Sequence, residues 1–313
     1  MSEPDRDLAG LNTERARADL ADLDTRTVAD LVQTINREDA TVPAAVAEAS
    51  RELSAAVTLL ATRLESGGRL VYAGAGTPGR LCAVDAAECA PTFGTDPGLT
   101  VPLLAGGPTA FMASVEGAED DRSTAASDVT AAEVGVNDVI VAVSASGRTP
   151  YALGAVETAA ASGAATVGVS NNPRSELSRL VDVAIEVDTG PEVVAGSTRM
   201  KAGTAQKLVL NTLSTAAMIR LGKTYGNFMV DLQAGNAKLR DRAVRIVATT
   251  TGANPHDCAR ALDMADGHAK TAVVMLLGDL DAAQARERLR NSGGRTRDAL
   301  AVSGEEPAAG GSP

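Results

Sequence analysis

DVIVAVSASGRTP, residues 138–150, is the stretch that decides the fold of this chain. Its apolar, β-branched first half predicts a buried strand, and the strand runs directly into a loop of Ser, Gly and Thr. The helical sequence YALGAVETAAASG follows at residues 151–163. A strand, a polar loop and a helix in this order form the repeating unit of a parallel sheet with helices on both faces.

The same unit recurs on both sides of this stretch. RLVYAGAG at 69–76 is a short apolar strand that ends in glycines, and ATVGVSNNP at 165–173 and VDVAIEVDTG at 181–190 predict two further strands. A loop and one long helix follow at residues 196–223. We therefore predict an α/β fold, with a parallel sheet flanked by helices and ligands at the carboxyl ends of the strands.

Changes of composition divide the chain into four predicted regions. They are an amino-terminal arm at 1–42, the sheet-containing domain at 43–239, a small helical domain at 240–303 and a flexible tail at 304–313. The small domain is predicted from short helical patterns separated by Gly or Asp, and the tail has no core-forming residues.

Composition and charge exclude several classes of partner. Acidic residues outnumber basic ones 40 to 29, and the chain has no Trp, three Phe and three Tyr. Nucleic acid would meet a surface of formal charge −11 and few aromatic rings for its bases. The acidic amino terminus has no apolar run for secretion, and no stretch of about 18 apolar residues could span a membrane. The sequence therefore predicts a cytoplasmic protein.

The cysteines and histidines predict no metal site. Cys82, Cys89 and Cys258 are too few and wrongly spaced for zinc. His256 and His268 lie far along the chain, which also argues against a Ser-His-Asp hydrolase.

The loop GAGTPGR at 74–80 follows a strand and opens a helix, so its N–H groups and the helix dipole can receive an anion. It also fits the dinucleotide fingerprint G-x-G-x-x-G. That fingerprint needs an acidic residue about 20 positions later, after a second strand. Asp96 lies in a loop instead, so the dinucleotide alternative is disfavoured.

Two further loops precede helices. Ser144, Ser146 and Thr149 offer hydroxyls that suit a phosphate monoester, although an ordinary strand-to-helix turn with a Ser or Thr N-cap would look the same. The loop GSTRMK at 196–201 puts hydroxyls and two cations at a helix start, where cations are slightly unfavourable to the helix. This cost indicates a ligand, with a solvated first turn as the alternative.

Four long motifs in the chain resemble the N-acetylmuramic acid 6-phosphate etherase family. They are GAGTPGRLCAVDAAECAPTFG at 74–94, VEGAED at 115–120, SASGRTPY at 144–151 and GPEVVAGSTRMKAGTAQK at 190–207. The last also matches a signature shared with glucokinase regulatory protein, and the similarity covers most of the chain. The resemblance implies a sugar-isomerase-type (SIS) domain, a homodimer, and neither a metal nor an organic cofactor.

The resemblance also implies an activity and site residues. The family is a group of carbon–oxygen lyases that cleave the lactyl ether of N-acetylmuramic acid 6-phosphate in cell-wall sugar recycling. It implies Glu119 as the base at carbon 2 and Glu88 as the acid that protonates lactate and then activates water; spacing alone does not select these two acids. The predicted substrate-binding residues are Gly76, Thr77, Ser144, Ser146, Thr149, Ser197, Arg199 and Lys201.

The chain departs from the family pattern at a few positions. The glycine loop usually reads GTSGRLG, whereas here Pro78 replaces a serine and Cys82 a glycine; Phe93 stands where the family often has tyrosine. Two alternatives remain open at this point: a catalytically silent sugar-phosphate sensor, like glucokinase regulatory protein, and an aldose–ketose isomerase, which also begins by enolisation.

Overall fold

The computed structural model describes residues 10–231 and 237–301. The strands of its main sheet are β1 (Leu70–Gly74), β2 (Thr100–Leu104), β3 (Val139–Ser144), β4 (Ala165–Ser170) and β5 (Val183–Glu186). All neighbours pair in parallel, in the order β2-β1-β3-β4-β5. Every residue of β1, β3 and β4 is buried, as expected for parallel strands covered on both faces. The predicted parallel α/β fold is confirmed.

β2 is the strand that the sequence pattern does not reveal. It contains Pro102, and a proline inside a run of apolar residues argues against a strand because it lacks an N–H donor. β2 lies at the edge of the sheet, next to β1 alone. An edge strand tolerates proline because one of its sides has no neighbouring strand, so an N–H on that side is not needed for a hydrogen bond.

Helices separate the strands and continue after them. Those up to the end of the sheet region are α1 (Val28–Asp39), α2 (Val42–Glu48), α3 (Ser50–Glu65), α4 (Gly76–Phe93), α5 (Thr109–Met112), α6 (Arg122–Ala131), α7 (Pro150–Ala161), α8 (Glu176–Leu180) and α9 (Lys201–Arg220). α7 is apolar almost all round, since it is buried in the core between the sheet and α6. Pro150 fits its first turn, where no N–H is needed.

The described chain forms two compact units. The larger contains the described residues up to Glu88 together with Pro97–Ala217, and the smaller contains Cys89–Asp96 and the described residues from Met218 onward. The predicted boundary between residues 239 and 240 stays a prediction. The predicted tail at 304–313 lies outside the described residues.

The smaller unit is mainly helical. A short antiparallel pair, β6 (Thr224–Tyr225) and β7 (Phe228–Met229), precedes its helices. The helices surround an apolar core that includes Val247, Leu262 and Val273. They are α10 (Ala237–Thr251), α11 (Pro255–Met264), α12 (Ala269–Gly278), α13 (Ala282–Asn291) and α14 (Thr296–Ala301).

The described part of the amino-terminal arm belongs to the larger unit and packs beside the sheet. It forms short 3₁₀ turns and then α1. The Asn172 amide donates to Thr13 Oγ1 at 3.0 Å, and the Gly196 N–H donates to the Thr13 carbonyl at 3.3 Å. The arm therefore lies beside β4, which ends at Ser170, and beside the loop that leads to α9.

Within residues 10–231 and 237–301, no helix is long and apolar enough to cross a bilayer. The same residues contain no group of three or more His, Cys, Asp or Glu side chains placed to hold a metal ion.

Candidate active site

The loop after β3 brings its three predicted hydroxyls together. Ser144 Oγ lies 2.7 Å from Thr149 Oγ1 and 3.3 Å from Ser146 Oγ. The Gly147 N–H donates to Ser144 Oγ at 3.0 Å, and the Arg148 N–H donates to Ser146 Oγ at 3.2 Å. We call these three hydroxyls the hydroxyl cluster.

Only glycine fits the turn inside this loop. Gly147 has a φ of +65°, and a Cβ there would lie 2.3 Å from Ser175 Cβ. A positive φ is readily adopted by glycine alone, and that distance leaves no room for a methyl group. The tight turn therefore holds Ser144 and Thr149 within hydrogen-bonding distance of each other.

The glycine loop after β1 and the loop after β3 both leave the sheet at the carboxyl ends of the strands. β1 and β3 are neighbours, and Gly74 pairs with Val143. Gly76 begins α4 with a φ of +59°, and a Cβ at this position would meet no atom within 4 Å. The first N–H groups of a helix have no intrahelical partner and can receive an anion. The Thr77 methyl group lies 3.4 Å from where a Cβ on Gly203 would stand, which places the first turns of α4 and α9 side by side.

Pro78, one of the departures from the family pattern, is buried in the first turn of α4. The N–H groups of a first turn have no intrahelical partner, so proline costs the helix nothing there. It does remove one N–H donor from the glycine loop. Phe93, another departure, is buried at the end of α4.

The loop before α9 is held by charged side chains of the protein itself. Glu192 is buried, and its two oxygens accept the N–H groups of Lys201 and Ala202 at 2.9 and 3.0 Å. Burial raises the pKa of Glu192. Lys201 Nζ donates to Glu38 Oε2 at 3.1 Å, and Lys201 is 3 % exposed. Arg199, by contrast, is exposed, and Ser197 is half-buried.

The pairing of Lys201 with Glu38 was missed in the sequence. Glu38 lies on α1, 163 positions earlier in the chain, and also pairs with Arg17. Arg17 and Lys201 together hold the pKa of Glu38 below its usual value, in spite of its burial. Local patterns carry no signal for a contact of this range. The substrate-binding role of Lys201 stays a prediction.

Glu119 is exposed on a 3₁₀ turn, Ala118–Asp120, that follows Gly117 with its φ of +74°. Asp121 comes next and caps α6, where its carboxylate accepts from the Ser123 and Thr124 N–H groups. The 3₁₀ turn packs against α7, the helix that the hydroxyl cluster precedes. The structure thus places Glu119 on an element that contacts the same helix.

Glu88 lies elsewhere in the larger unit, in a groove between α4 and α9. The groove contains an open pocket of about 190 Å³, lined among others by Leu81, Val84, Glu88, Lys207, Leu210 and Asn211. Glu88 and Lys207 are both exposed. We call this pocket the carboxylate groove.

Asp85 ties the two helices of the groove together. It is buried, and its carboxylate accepts from Tyr72 Oη at 2.7 Å, from Asn211 Nδ2 at 2.6 Å and from Ser214 Oγ at 3.2 Å. None of the groove residues besides Glu88 was singled out in the sequence. The available signal was spacing: Lys207 and Asn211 are four positions apart, on one face of a helix.

The structure does not bring Glu88 to the hydroxyl cluster of its own chain. Glu88 stands 12 residues after Gly76 in the same helix. At a rise of about 1.5 Å per residue, the two positions are about 18 Å apart along the axis. The glycine loop and the hydroxyl cluster both lie at the carboxyl ends of neighbouring strands, so Glu88 is distant from both.

Two SIS-domain family models match the part of the chain that contains the sheet. The family described as glucokinase regulatory protein N-terminal SIS domain matches residues 52–160, and the SIS domain family matches 112–216. The N-acetylmuramic acid 6-phosphate etherase of Streptomyces coelicolor is 55% identical over 295 residues, covering 94% of this chain and 95% of that protein. The etherase of Mycolicibacterium smegmatis is 52% identical, covering 94% and 99%. A solved phosphoheptose isomerase from Francisella tularensis matches with a TM-score of 0.49 and 16% identity, over 62% of this chain and 100% of that one.

Proposed function

Since this chain belongs to the N-acetylmuramic acid 6-phosphate etherase family, we propose that it cleaves the D-lactyl ether of N-acetylmuramic acid 6-phosphate. The products are N-acetylglucosamine 6-phosphate and D-lactate, and the reaction serves cell-wall sugar recycling. The observation that carries the proposal is the identity of 55% to an etherase over 94% of the chain.

The reaction needs two proton-transfer groups. Opening of the sugar ring gives an aldehyde at carbon 1, which acidifies the proton on carbon 2. A base removes this proton, and lactate leaves from carbon 3 as its ether oxygen takes up a proton from an acid. Water then adds across the new carbon 2–carbon 3 double bond. We assign the base to Glu119 and the acid to Glu88, which then takes a proton from water.

The hydroxyl cluster supports the binding of the phosphate. Hydroxyl groups rotate to donate, and the N–H groups at Gly76 and Thr77 add donors at a helix start, where an anion is favoured. Binding energy at this remote phosphate positions the reacting carbons. Ser197 and Arg199 lie in the loop that leads into α9 and are proposed as further ligands. Lys201 is better suited to holding the loop, because its amine is bound to Glu38.

The position of Glu88 supports a homodimer with shared sites. Six bonds separate the phosphorus atom from the carbon 3 ether oxygen, a reach of about 7 Å, because three extended backbone bonds span about 3.6 Å. Glu88 is about 18 Å from Gly76 along α4. A sugar held at the hydroxyl cluster of one copy therefore meets Glu88 of a second copy. Val84, an exposed residue of the groove lining, adds apolar surface for such a contact.

A cytoplasmic location goes with this proposal. A sugar phosphate is charged, and transfer of a charge into the apolar core of a bilayer is costly. The substrate therefore stays in the compartment where it is phosphorylated.

The direct test is incubation of the full chain with N-acetylmuramic acid 6-phosphate, followed by an assay of D-lactate and of N-acetylglucosamine 6-phosphate. We expect both products in equal amounts. Binding without any product would favour the silent sensor. A ketose formed without lactate would favour the isomerase.

A further inference from the structure

The carboxylate groove is built from the facing sides of two helices. Leu81, Val84 and Glu88 lie three or four positions apart on α4, and Lys207 and Asn211 are four apart on α9. Residues at these spacings share one helix face. The groove is therefore a feature of regular helices, and its side chains stand at fixed positions along them.

The lining of the groove combines one cation, one amide and an apolar patch with two carboxyl groups, which belong to the proposed acid Glu88 and to the buried Asp85. The cation is Lys207, the amide belongs to Asn211, and the apolar patch is formed by Leu81, Val84 and Leu210. An apolar pocket with a few polar groups at fixed positions is typical of a small-molecule site. Lys207 and Asn211 suit an anionic group of a ligand, and the apolar patch suits a small apolar group next to the atom that Glu88 protonates.

Asn211 is held in place for such a ligand. One N–H of its amide group is directed to Asp85 at 2.6 Å, and Asp85 is itself fixed by the Tyr72 and Ser214 hydroxyls. An amide nitrogen carries two hydrogens, so a second donor remains for a carboxylate. Asp85 therefore acts as a positioning residue for the groove.

We propose that this groove is the subsite for the lactyl group, an inference that rests on the proposed function. The lactyl carboxylate binds Lys207 and Asn211, the methyl group packs on Leu81, Val84 and Leu210, and the ether oxygen lies against Glu88. The sugar is held through its phosphate by the second copy.

Electrostatics explains why a cation has to stand here. The lactyl carboxylate is close to the ether oxygen in the substrate, and Glu88 becomes a carboxylate when it protonates that oxygen. Two like charges at such a distance repel each other. Lys207 offsets this repulsion, and as a flexible point charge it can follow the departing lactate.

The experiment compares two ethers of the same sugar. One is N-acetylmuramic acid 6-phosphate, and the other is 3-O-ethyl-N-acetylglucosamine 6-phosphate, which lacks only the carboxylate. The rate of N-acetylglucosamine 6-phosphate formation is measured for the wild type and for Lys207→Met. We expect kcat/KM for the lactyl ether to fall about 10- to 150-fold in the variant, the range of a hydrogen bond to a charged group. The ethyl ether is expected to react at an unchanged rate.

Two further variants control for charge and fold. Lys207→Arg keeps the cation and should retain the preference for the lactyl ether. Arg51→Met removes one positive charge from an exposed position of α3 and should change neither rate. Because each variant is compared with the wild type on the same ether, differences in leaving-group reactivity cancel.

A Lys207→Met variant that slows both ethers equally would overturn the subsite, since Lys207 would then serve the phosphate or the fold. An unchanged rate on both would overturn it as well. A wild type that forms no product from either ether would refute the proposed function itself, and the subsite with it.

Discussion

The hydroxyl cluster and the carboxylate groove are built in opposite ways. The cluster comes from a single loop, and its members lie within five positions of each other and bond among themselves. The groove joins two helices whose linking residues, Asp85 and Asn211, are 126 positions apart. The cluster is complete within one chain, whereas the groove has its acid about 18 Å from the same chain's glycine loop. The hydroxyl cluster is thus formed by residues that are close in the sequence. The complete site depends on contacts between distant parts of the chain and, in our proposal, on a second copy.

The largest expected effect separates the two carboxylates. Glu88→Ala should release almost no lactate yet still exchange the carbon 2 proton with deuterated water, because deprotonation precedes departure of the ether oxygen. Glu119→Ala should lose both exchange and release. General acid–base groups contribute about 10²–10⁴-fold to rates, so either loss is easily measured by NMR in deuterium oxide with lactate assayed in the same tube.

Both variants retain the hydroxyl cluster and should still bind the sugar phosphate. Exchange by the Glu119 variant but not by the Glu88 variant would reverse the assignment. Full lactate release by either one would remove that residue from the mechanism.

Mixing the two inactive variants tests whether the regions belong to different copies. In a dimer of one Glu88→Ala and one Glu119→Ala chain, one of the two shared sites keeps both carboxylates. Equal mixing makes half of the dimers mixed, so about a quarter of the wild-type activity should return in a two-fold symmetric dimer. Each variant alone, unfolded and refolded in the same way, is the control. Activity that stays at the background of the single variants would show that Glu88 serves its own chain.

The same contrast explains how much could be predicted from the sequence. Four strands of the sheet and the hydroxyl cluster follow from local patterns, because apolar runs and the Ser, Gly and Thr of one loop are contiguous. β2 was missed because Pro102 interrupts its apolar pattern. A proline is tolerated in an edge strand, but the fold alone shows that β2 lies at the edge of the sheet. Lys207 and Asn211 were missed because the contact of α9 with α4 is not encoded in either helix alone.

Glu38→Gln tests whether Lys201 belongs to the fold or to the ligand. Loss of the carboxylate leaves Lys201 buried without its partner, which should lower the free energy of unfolding by about 3 kcal/mol at neutral pH. Arg17 and Lys201 lower the pKa of Glu38 in the folded protein, so the ionised form stabilises the fold above the usual value of 4.5. This contribution is lost as the pH falls through the folded pKa. The difference between wild type and variant should therefore be full at pH 7 and shrink below about pH 4.5 in urea unfolding.

An unchanged free energy of unfolding, combined with a large loss of phosphosugar affinity in Lys201→Met, would contradict the structural role. Lys201 would then join the hydroxyl cluster as a ligand.

The smallest expected effect concerns Pro78, at the end of α4 opposite to Glu88. Serine at this position restores an N–H and a hydroxyl in the first turn, where donors face an anion. Since a hydrogen bond to a charged group is worth about 1.5 kcal/mol or more, Pro78→Ser should bind N-acetylglucosamine 6-phosphate about tenfold more tightly in calorimetry. The unfolded chain gains freedom without proline, so stability should fall by about 0.4–1 kcal/mol. Pro78→Ala restores the N–H alone and separates its contribution from that of the hydroxyl. If neither variant gains affinity, the glycine loop does not touch the phosphate, and the hydroxyl cluster holds it without help from α4.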